Sequence, residues 1–358
     1  MRCHSSLSTK FRQSQRRKFP TQEANIYLAR SLFMKPLAIG IFVSGIVASS
    51  LVLRRWLAIR RAMSVWRTIA RTCGLLSLPP SYFRLVITGV STGIGLACVE
   101  MLKDFPSVEV IPCGRAVHSL AGILVDLNDS ASVRLCANEV TSRLYHESAS
   151  PSMGQDIFIN NAGVYGLSNA ASVWKANLVA PCFFTESVAV AFVASGIKGR
   201  ALRFVQVGSR LESSSRMNFG NVRTLAQQAL EQNSPQSSNS AYADTKRGLL
   251  YHTSYMCSKY EKVKSLSFCV VTPGMVNTSL GHSSVPRIIW WLTWPLRFVM
   301  MRHPSEGAVA ILWAAFGCPA ESGVYTADQC VIERIHATRD PLVGEVISEI
   351  VNVHLNAI

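Results

Sequence analysis

An α/β fold is predicted for this 358-residue chain, a doubly wound parallel sheet in three layers, αβα. Two observations predict it. From Ser81 onward, apolar runs of strand length alternate with longer helical stretches, and a glycine-rich turn follows the first of those runs. Parallel strands joined by helices are covered on both faces, so they read as continuous apolar runs rather than as alternating ones.

In chain order the strands are RLVIT (84–88), VEVIPC (108–113), GILVD (122–126), DIFIN (156–160), RFVQV (203–207) and LSFCVV (266–271). Helical stretches lie between most of them: Ile94 to Phe105, Ser130 to Glu147, Ala170 to Ala194 and Ala241 to Tyr260. Crossovers between parallel strands are right-handed, and ligands of such sheets bind beyond the carboxyl ends of the strands.

Composition separates this domain from what precedes it. The chain carries 36 Lys and Arg against 21 Asp and Glu, a formal charge of +15, with 49% hydrophobic residues. That apolar content excludes a disordered, charge-rich protein. The charge is not spread evenly: residues 1–79 hold 14 of the bases and one acid, Glu23, so the remainder is close to neutral. A nucleic-acid partner is therefore not expected, because no basic patch belongs to the folded domain.

The N-terminal region has three parts. Residues 1–36 are basic and rich in Ser and Arg, and the first 30 of them also suit an organelle presequence. Leu37 to Leu53 is an uncharged run of 17 residues between Lys35 and the pair Arg54 and Arg55, at the lower limit for crossing a hydrocarbon core of about 30 Å. A buried core helix is the alternative. Residues 54–80 contain six Arg, two Trp and no acid, fitting a basic amphipathic linker at a lipid headgroup layer or a solvated helix.

The chemistry-bearing motifs sit at strand ends. TGVSTGIG (88–95) places Gly89, Gly93 and Gly95 at a strand-to-helix turn, where a missing Cβ lets the backbone approach a pyrophosphate and the helix offers its free N–H groups. Thr88, Ser91 and Ile94 belong to the same turn. Asn160, Asn161, Ala162 and Gly163 follow the fourth strand, Asn177 lies in KANLVA, and Ser209 ends VQVGS. Tyr242 and Lys246 lie one helical turn apart in AYADTK, and Pro273 and Gly274 open TPGMVNT, which also holds Val276 and Thr278.

This ordered set resembles the short-chain dehydrogenase/reductase family from about Arg84 to Asp328. The resemblance implies a Rossmann-type domain over 81–335 with an NAD(P)-dependent oxidoreductase activity acting on an alcohol or a carbonyl. It implies a catalytic set of Asn177, Ser209, Tyr242 and Lys246, with Lys246 also holding the nicotinamide ribose and Asn177 ordering a water that relays protons to Lys246. Carbonyl reduction requires a proton donor and a polarising group for the developing oxyanion. Tyr242 would donate, Ser209 would polarise, and an ammonium at Lys246 would favour the phenolate of a residue whose ordinary pKa is near 10.

Coenzyme choice depends on the end of the second strand, where Gly114 and Arg115 follow VIPC and no acid occurs before Asp126. A basic group there suits the 2′-phosphate, so NADP(H) is expected, with NAD also open. By resemblance Asp126 would meet the adenine. Thr92 stands where NADP-using relatives carry a basic residue.

Two departures from the family pattern are informative. Ser209 and Tyr242 are 33 positions apart, because of a polar insert (213–240) expected to be mobile; such inserts occur in the retinol-dehydrogenase-like branch. HPSEGA (303–308) and Gly323 to Tyr325 approximate further features of that branch. Gly208 replaces the serine that commonly precedes the catalytic one.

The segment 282–303 contains RIIWWLTWPLRFVMMR, an apolar Trp-rich lid over the substrate, or an interfacial helix admitting a lipophilic substrate from a bilayer. A retinoid, steroid or fatty aldehyde is the expected substrate class in either case. Residues 336–358 are expected to be a C-terminal tail. Ten Cys without a CxxC pair favour a reduced compartment, and no metal pair occurs among the His. The sequons at Asn128 and Asn277 are read as chance. The expected location is a membrane, the endoplasmic reticulum with the catalytic domain on its reduced side, with mitochondrion or plastid as alternatives; a homodimer is open. The rival function is a nucleotide-binding regulator that keeps the fold without turnover.

Overall fold

The computed structural model describes residues 22–79, 82–117, 122–145, 153–166, 169–231, 236–278, 280, 287–293, 297, 298, 300–318, 321–327, 330–335 and 339–356. For residues 22–44, Ile46, Arg287, Trp290, Trp291, Ile332 and Asn356 the description is of the backbone. Residues 1–21 of the expected presequence, the boundary residues Ser81, Glu147 and Asp328, and part of the Trp-rich segment lie outside these residues.

The chain divides into two compact units, Met1–Arg54 and Arg55–Ile358. In the first, the run Leu37 to Leu53 is helical, part of helix α1 (Gln22–Thr72), and Val47, Val52 and Leu53 are exposed.

The second unit is built on an eight-stranded sheet. Its strands are β1 (Phe83–Thr88), β2 (Val108–Gly114), β3 (Ile123–Leu124), β4 (Gly154–Asn160), β5 (Arg200–Val207), β6 (Leu266–Thr272), β7 (Val324–Ala327) and β8 (Cys330–Arg334), in the order β3-β2-β1-β4-β5-β6-β7-β8. All neighbours are parallel except β7 and β8, which pair antiparallel. The order of β1 to β6 is that of the doubly wound Rossmann fold. Every side chain of β1 is buried, as a central strand of a sheet covered on both faces requires.

Each face carries one apolar core. On one side lie α3 (Ser130–Tyr145), α4 (Ala170–Trp174), α5 (Ala180–Ser195), α6 (Val222–Leu230) and α7 (Ser238–Lys259), with Trp174, Phe158, Phe184 and Phe204 fully buried among them. On the other lie α2 (Gly93–Leu102), α9 (Pro304–Leu312) and the end of α1, around Leu85, Ile87 and Val205. Helix α8 (Arg287–Leu292) precedes α9. Among the residues whose side chains are described one helix is long and apolar enough to cross a membrane, Ala170–Ser195, and 56% of its apolar window is buried inside the fold, so it serves as a core helix.

Beneath the sheet, at the end away from the glycine turn, Asp156 joins Arg84 and Arg200. Arg84 donates Nε and Nη2 to the two carboxylate oxygens, both at 2.8 Å, and Arg200 Nη2 donates at 2.7 Å. The carboxylate is fully buried, and these paired guanidinium groups offset its desolvation.

Three expectations are corrected here. The 54–80 stretch is not only a linker: Ala62, Trp66, Ile69 and Ala70 are buried, and the Trp66 indole donates to the Met101 carbonyl at 3.0 Å and packs edge-on against Phe105. Its Arg-rich composition conceals an apolar stripe of helical spacing that matches the α2 side of the domain. The 213–240 insert, expected to be mobile, is packed in part: α6 buries Val222, Ala226 and Ala229. The C-terminal tail is helix α10 (Pro341–Asn356), which buries Val343, Val346, Ile347, Val351 and Leu355. The helical stretch expected over 170–194 is present as Ala170–Ser195, with a π-helical turn, Lys175–Val179, inside it.

Candidate active site

The carboxyl ends of β1, β4, β5 and β6 converge. Thr88 ends β1, and its Oγ1 accepts from the backbone N–H groups of Asn161 (3.1 Å) and Ala162 (3.0 Å). Asn161 returns the bond, its Nδ2 donating to the carbonyls of Thr88 (2.9 Å) and Gly89 (3.2 Å). These four bonds lock the glycine turn to the loop after β4. They make Thr88 and Asn161 builders of the turn.

Two glycines there are sterically required. Gly89 has φ +75°, and a Cβ on it would lie 2.7 Å from Ala162 Cα; on Gly95 a Cβ would lie 2.2 Å from the Gly89 carbonyl oxygen. The chain enters α2 at Gly93 with no acid in the first turn and no side-chain cap from Thr92. The positive end of the helix thus faces the space beyond β1. Ser91 is exposed in the turn, and a Cβ on Gly114 would lie 3.8 Å from Ser91 Oγ, so the end of β2 abuts it and exposed Arg115 follows. Asp126 is exposed past β3, where its Oδ1 accepts from the Asn128 N–H at 3.0 Å.

The loop after β6 closes the opposite side. Gly274 has φ +79° and packs against the Arg302 guanidinium, while Pro273 precedes it. Val276 pairs with Arg302 in an isolated bridge, Arg302 N–H donates to the Met275 carbonyl at 2.8 Å, and Asn277 N–H donates to the Arg302 carbonyl at 2.9 Å. Thr278 reaches the glycine turn, its Cγ2 lying 3.1 Å from a Cβ built on Gly93, and Ile94 and Val276 both pack on Gly307 of α9. Arg302 is a bracing residue that the sequence did not reveal; there it stands only as the last residue of the run RIIWWLTWPLRFVMMR.

Four side chains expected to act together do converge. Tyr242 and Lys246 lie on α7, with 7% and 4% of their surface exposed. The Ser209 hydroxyl lies close enough to the Tyr242 phenol to pull its pKa downward. Lys246 Nζ lies 5.6 Å from the Tyr242 ring centroid and donates to the Val207 carbonyl at 2.7 Å. The Asn177 carboxamide, fully buried in the π-helical turn, spans both backbone groups of Val164: Oδ1 accepts from its N–H at 2.7 Å and Nδ2 donates to its carbonyl at 2.8 Å. A π turn widens the helix and re-aims one side chain, a device common at functional sites. A Cβ on Gly163 would lie 3.1 Å from Asn177 Oδ1 and 3.9 Å from Lys246 Nζ, so this glycine lets both approach. Tyr165, two residues beyond, packs edge-on against Tyr242 at 4.8 Å between centroids.

Electrostatics correct one expectation. Burial pushes the Tyr242 phenol up to about 12, outweighing the downward pull of the Ser209 hydroxyl. Burial likewise pushes the Lys246 ammonium down to about 8. Lys246 was expected to favour the phenolate. Its ammonium is instead directed to the Val207 carbonyl, and desolvation of the phenolate dominates.

No protein-family model matches the sequence, and no curated protein matches it. Among solved structures the chain is similar to an uncharacterized protein from Mycobacterium Paratuberculosis, at 19% identity and a TM-score of 0.53, over 79% of this chain and 97% of that one. It is also similar to the 3-alpha-hydroxysteroid dehydrogenase from Pseudomonas sp. B-0831 complexed with NADH (21% identity, TM-score 0.49, 68% and 95% covered). A short-chain dehydrogenase from Sphingobium yanoikuyae in complex with NADPH matches at 20% identity and a TM-score of 0.48, with 70% and 87% covered. At these identities the likeness is one of fold, and the strand order together with the motifs at the strand ends makes that fold a Rossmann-type doubly wound sheet.

Proposed function

We propose that the chain is a short-chain dehydrogenase/reductase that interconverts an alcohol and a carbonyl on a hydrophobic substrate, preferring NADP(H). One observation carries the reading: a buried phenol and a buried ammonium one helical turn apart, with a serine hydroxyl close to the phenol, at the carboxyl ends of a doubly wound sheet.

The residues present suit a nicotinamide dinucleotide. The uncapped start of α2 and the two close-packed glycines, Gly89 and Gly95, suit a pyrophosphate, and exposed Arg115 beside Ser91 suits a 2′-phosphate. Asp126, Asn161 to Gly163, Val276 and Thr278 border the same space. When bound, such a coenzyme supplies or takes the hydride.

The chain's own residues then manage the proton. In the reducing direction Tyr242 donates its phenolic proton to the carbonyl oxygen, and Ser209 donates a hydrogen bond to the same oxygen. Lys246, at about 8, is the stronger acid of the pair, so it can return a proton to a Tyr242 held at about 12. Asn177 fixes the Val164 backbone beside Lys246, which supports its assignment to the relay.

The apolar helix over 37–53 supports a membrane anchor, and a second feature supports lipid contact. Ile288, Ile289, Leu292 and Met300 are 46–75% exposed, while Phe298 and Met301 of the same segment receive Arg55, which stacks on the Phe298 ring at 5.0 Å and donates to the Met301 carbonyl at 3.0 Å. A bilayer is the partner we propose for this apolar stripe, with the endoplasmic reticulum as the location.

Purified protein assayed with NADPH and a panel of retinoid, steroid and fatty aldehydes tests the activity; oxidation of NADPH with at least one of them is expected. Tight NADPH binding with no turnover across the panel would favour the non-catalytic reading. Flotation with liposomes, and its loss on Ile288→Asp with Leu292→Asp, tests the lipid contact.

A further inference from the structure

The polar insert is tied to α7 through Asp244, Arg247 and Tyr251. Asp244, 3% exposed, receives the Ser215 hydroxyl on Oδ1 at 2.6 Å and the Gln236 side-chain amide on Oδ2 at 2.5 Å. Those two residues stand at opposite ends of the insert. One turn along, Arg247 Nη1 donates to the carbonyls of Glu212 and Ser215, both at 3.3 Å, and lies 3.6 Å from the Glu212 carboxylate. Tyr251 continues the same face, its hydroxyl donating to the Met217 carbonyl at 3.3 Å.

Between this tie and the site runs one short rigid piece of chain. Ser209 accepts from the Leu211 N–H at 3.3 Å, its carbonyl accepts from the Glu212 N–H at 3.1 Å, and the Glu212 carbonyl accepts from the Ser215 N–H at 3.0 Å. At about 100° per residue, Asp244 projects from the side of α7 roughly opposite Tyr242. The 209–215 turn therefore wraps the start of α7, meeting the Tyr242 phenol with one end and Asp244 with the other.

Resting on the oxidoreductase reading, we propose that Asp244 and Arg247 are positioning residues: they hang the Ser209 turn from the helix that carries Tyr242 and Lys246, and so fix the spacing of the two hydroxyls. A buried carboxylate is costly unless its oxygens are satisfied, and here both are satisfied by the segment it holds. Asp244 touches neither hydroxyl and acts through Ser209 alone.

A double-mutant cycle tests this. Asp244→Leu is expected to lower kcat about tenfold, leave the KM for NADPH unchanged, and move the rising limb of the alcohol-oxidation pH profile to higher pH, because the Ser209 hydroxyl holds the Tyr242 phenol down. In a Ser209→Ala background the same substitution is expected to change kcat by less than about twofold. Asp244→Asn, which keeps an acceptor for Ser215, is expected to recover most of the loss. An equal loss in both backgrounds, or an unmoved pH limb, overturns the proposal. Should Asp244→Leu fail to fold, Ser215→Ala breaks the same bond by removing one hydroxyl, with the same expected and overturning results. If the wild-type protein turns over no carbonyl, the oxidoreductase reading fails separately. The tie is then scored by amide hydrogen exchange over 209–217, where faster exchange in Asp244→Leu or Ser215→Ala supports it and unchanged exchange refutes it.

Discussion

Tyr242→Phe separates chemistry from folding more sharply than any other substitution in the site. The ring is 7% exposed and packs on Tyr165 at 4.8 Å, and a phenylalanine keeps both features. What is lost is one buried O–H beside Ser209, worth at most about 1 kcal/mol of stability out of a typical total of about 5–15 kcal/mol. Removing a general acid costs a rate factor of about 10²–10⁴, equivalent to about 3–5 kcal/mol on the barrier. The variant should therefore remain folded, bind NADPH as the parent does, and lose at least about 99% of kcat. The assay is the decline of NADPH absorbance at saturating aldehyde, with the unfolding midpoint and NADPH fluorescence measured on the same preparation. Retention of more than about a tenth of kcat would show that another group donates the proton, and the proposed mechanism would be wrong.

Three further outcomes concern stability. Burial lowers Lys246 from 10.5 to about 8, so the unfolded chain holds more protons between those values and this group's contribution to stability rises with pH across that window. Lys246→Met should therefore be stabilised relative to the parent below pH 8 and lose that advantage, about 3 kcal/mol, by pH 10.5; denaturant titrations at several pH values check this, and a constant difference contradicts it. Asp156→Ala takes the carboxylate away from two buried guanidinium groups, at a cost of about 3–5 kcal/mol, and should lower the unfolding midpoint by on the order of 10 °C without changing kcat per folded molecule, since the cluster sits far from the site. Trp66→Ala should cost about 3–5 kcal/mol in calorimetry of the detergent-solubilised protein; no change would mean that the helix does not belong to the domain core.

What the sequence disclosed follows from how local each signal is. The strands were visible because β1, β4, β5 and β6 are buried on both faces and cannot hide their apolar runs, and Tyr242 and Lys246 were visible because one helix sets their spacing. Helix α10 carried a signal too, Val343, Val346, Ile347, Val351 and Leu355 at helical intervals, but it lies beyond the last motif and was set aside as a tail. Helix α6 was harder. Its buried face is Val222, Ala226 and Ala229 among Gln and Arg, too small an apolar stripe to outweigh a polar composition. The packing of Trp66 on Met101 and Phe105 joins residues more than 30 positions apart, and nothing near Trp66 in sequence names that partner.

The same limit applies to the proton chemistry, and there it changes the mechanism. Spacing alone placed an ammonium near a phenol and suggested that the charge would make the phenol more acidic. The fold buries both groups and aims the ammonium at the Val207 carbonyl, 2.7 Å away. Burial disfavours whichever form is charged, so it raises Tyr242 and lowers Lys246 together. Two side chains with nearly equal ordinary pKa values, about 10 and 10.4, are thereby ordered as donor and acceptor. In the proposed mechanism a Tyr242 that has given up its proton is then the stronger base, and Lys246 is the neighbour able to restore it. The direction of that proposed relay follows from the buried environment, which Asn177, Gly163 and the Ser209 turn assemble beyond the ends of β4 and β5.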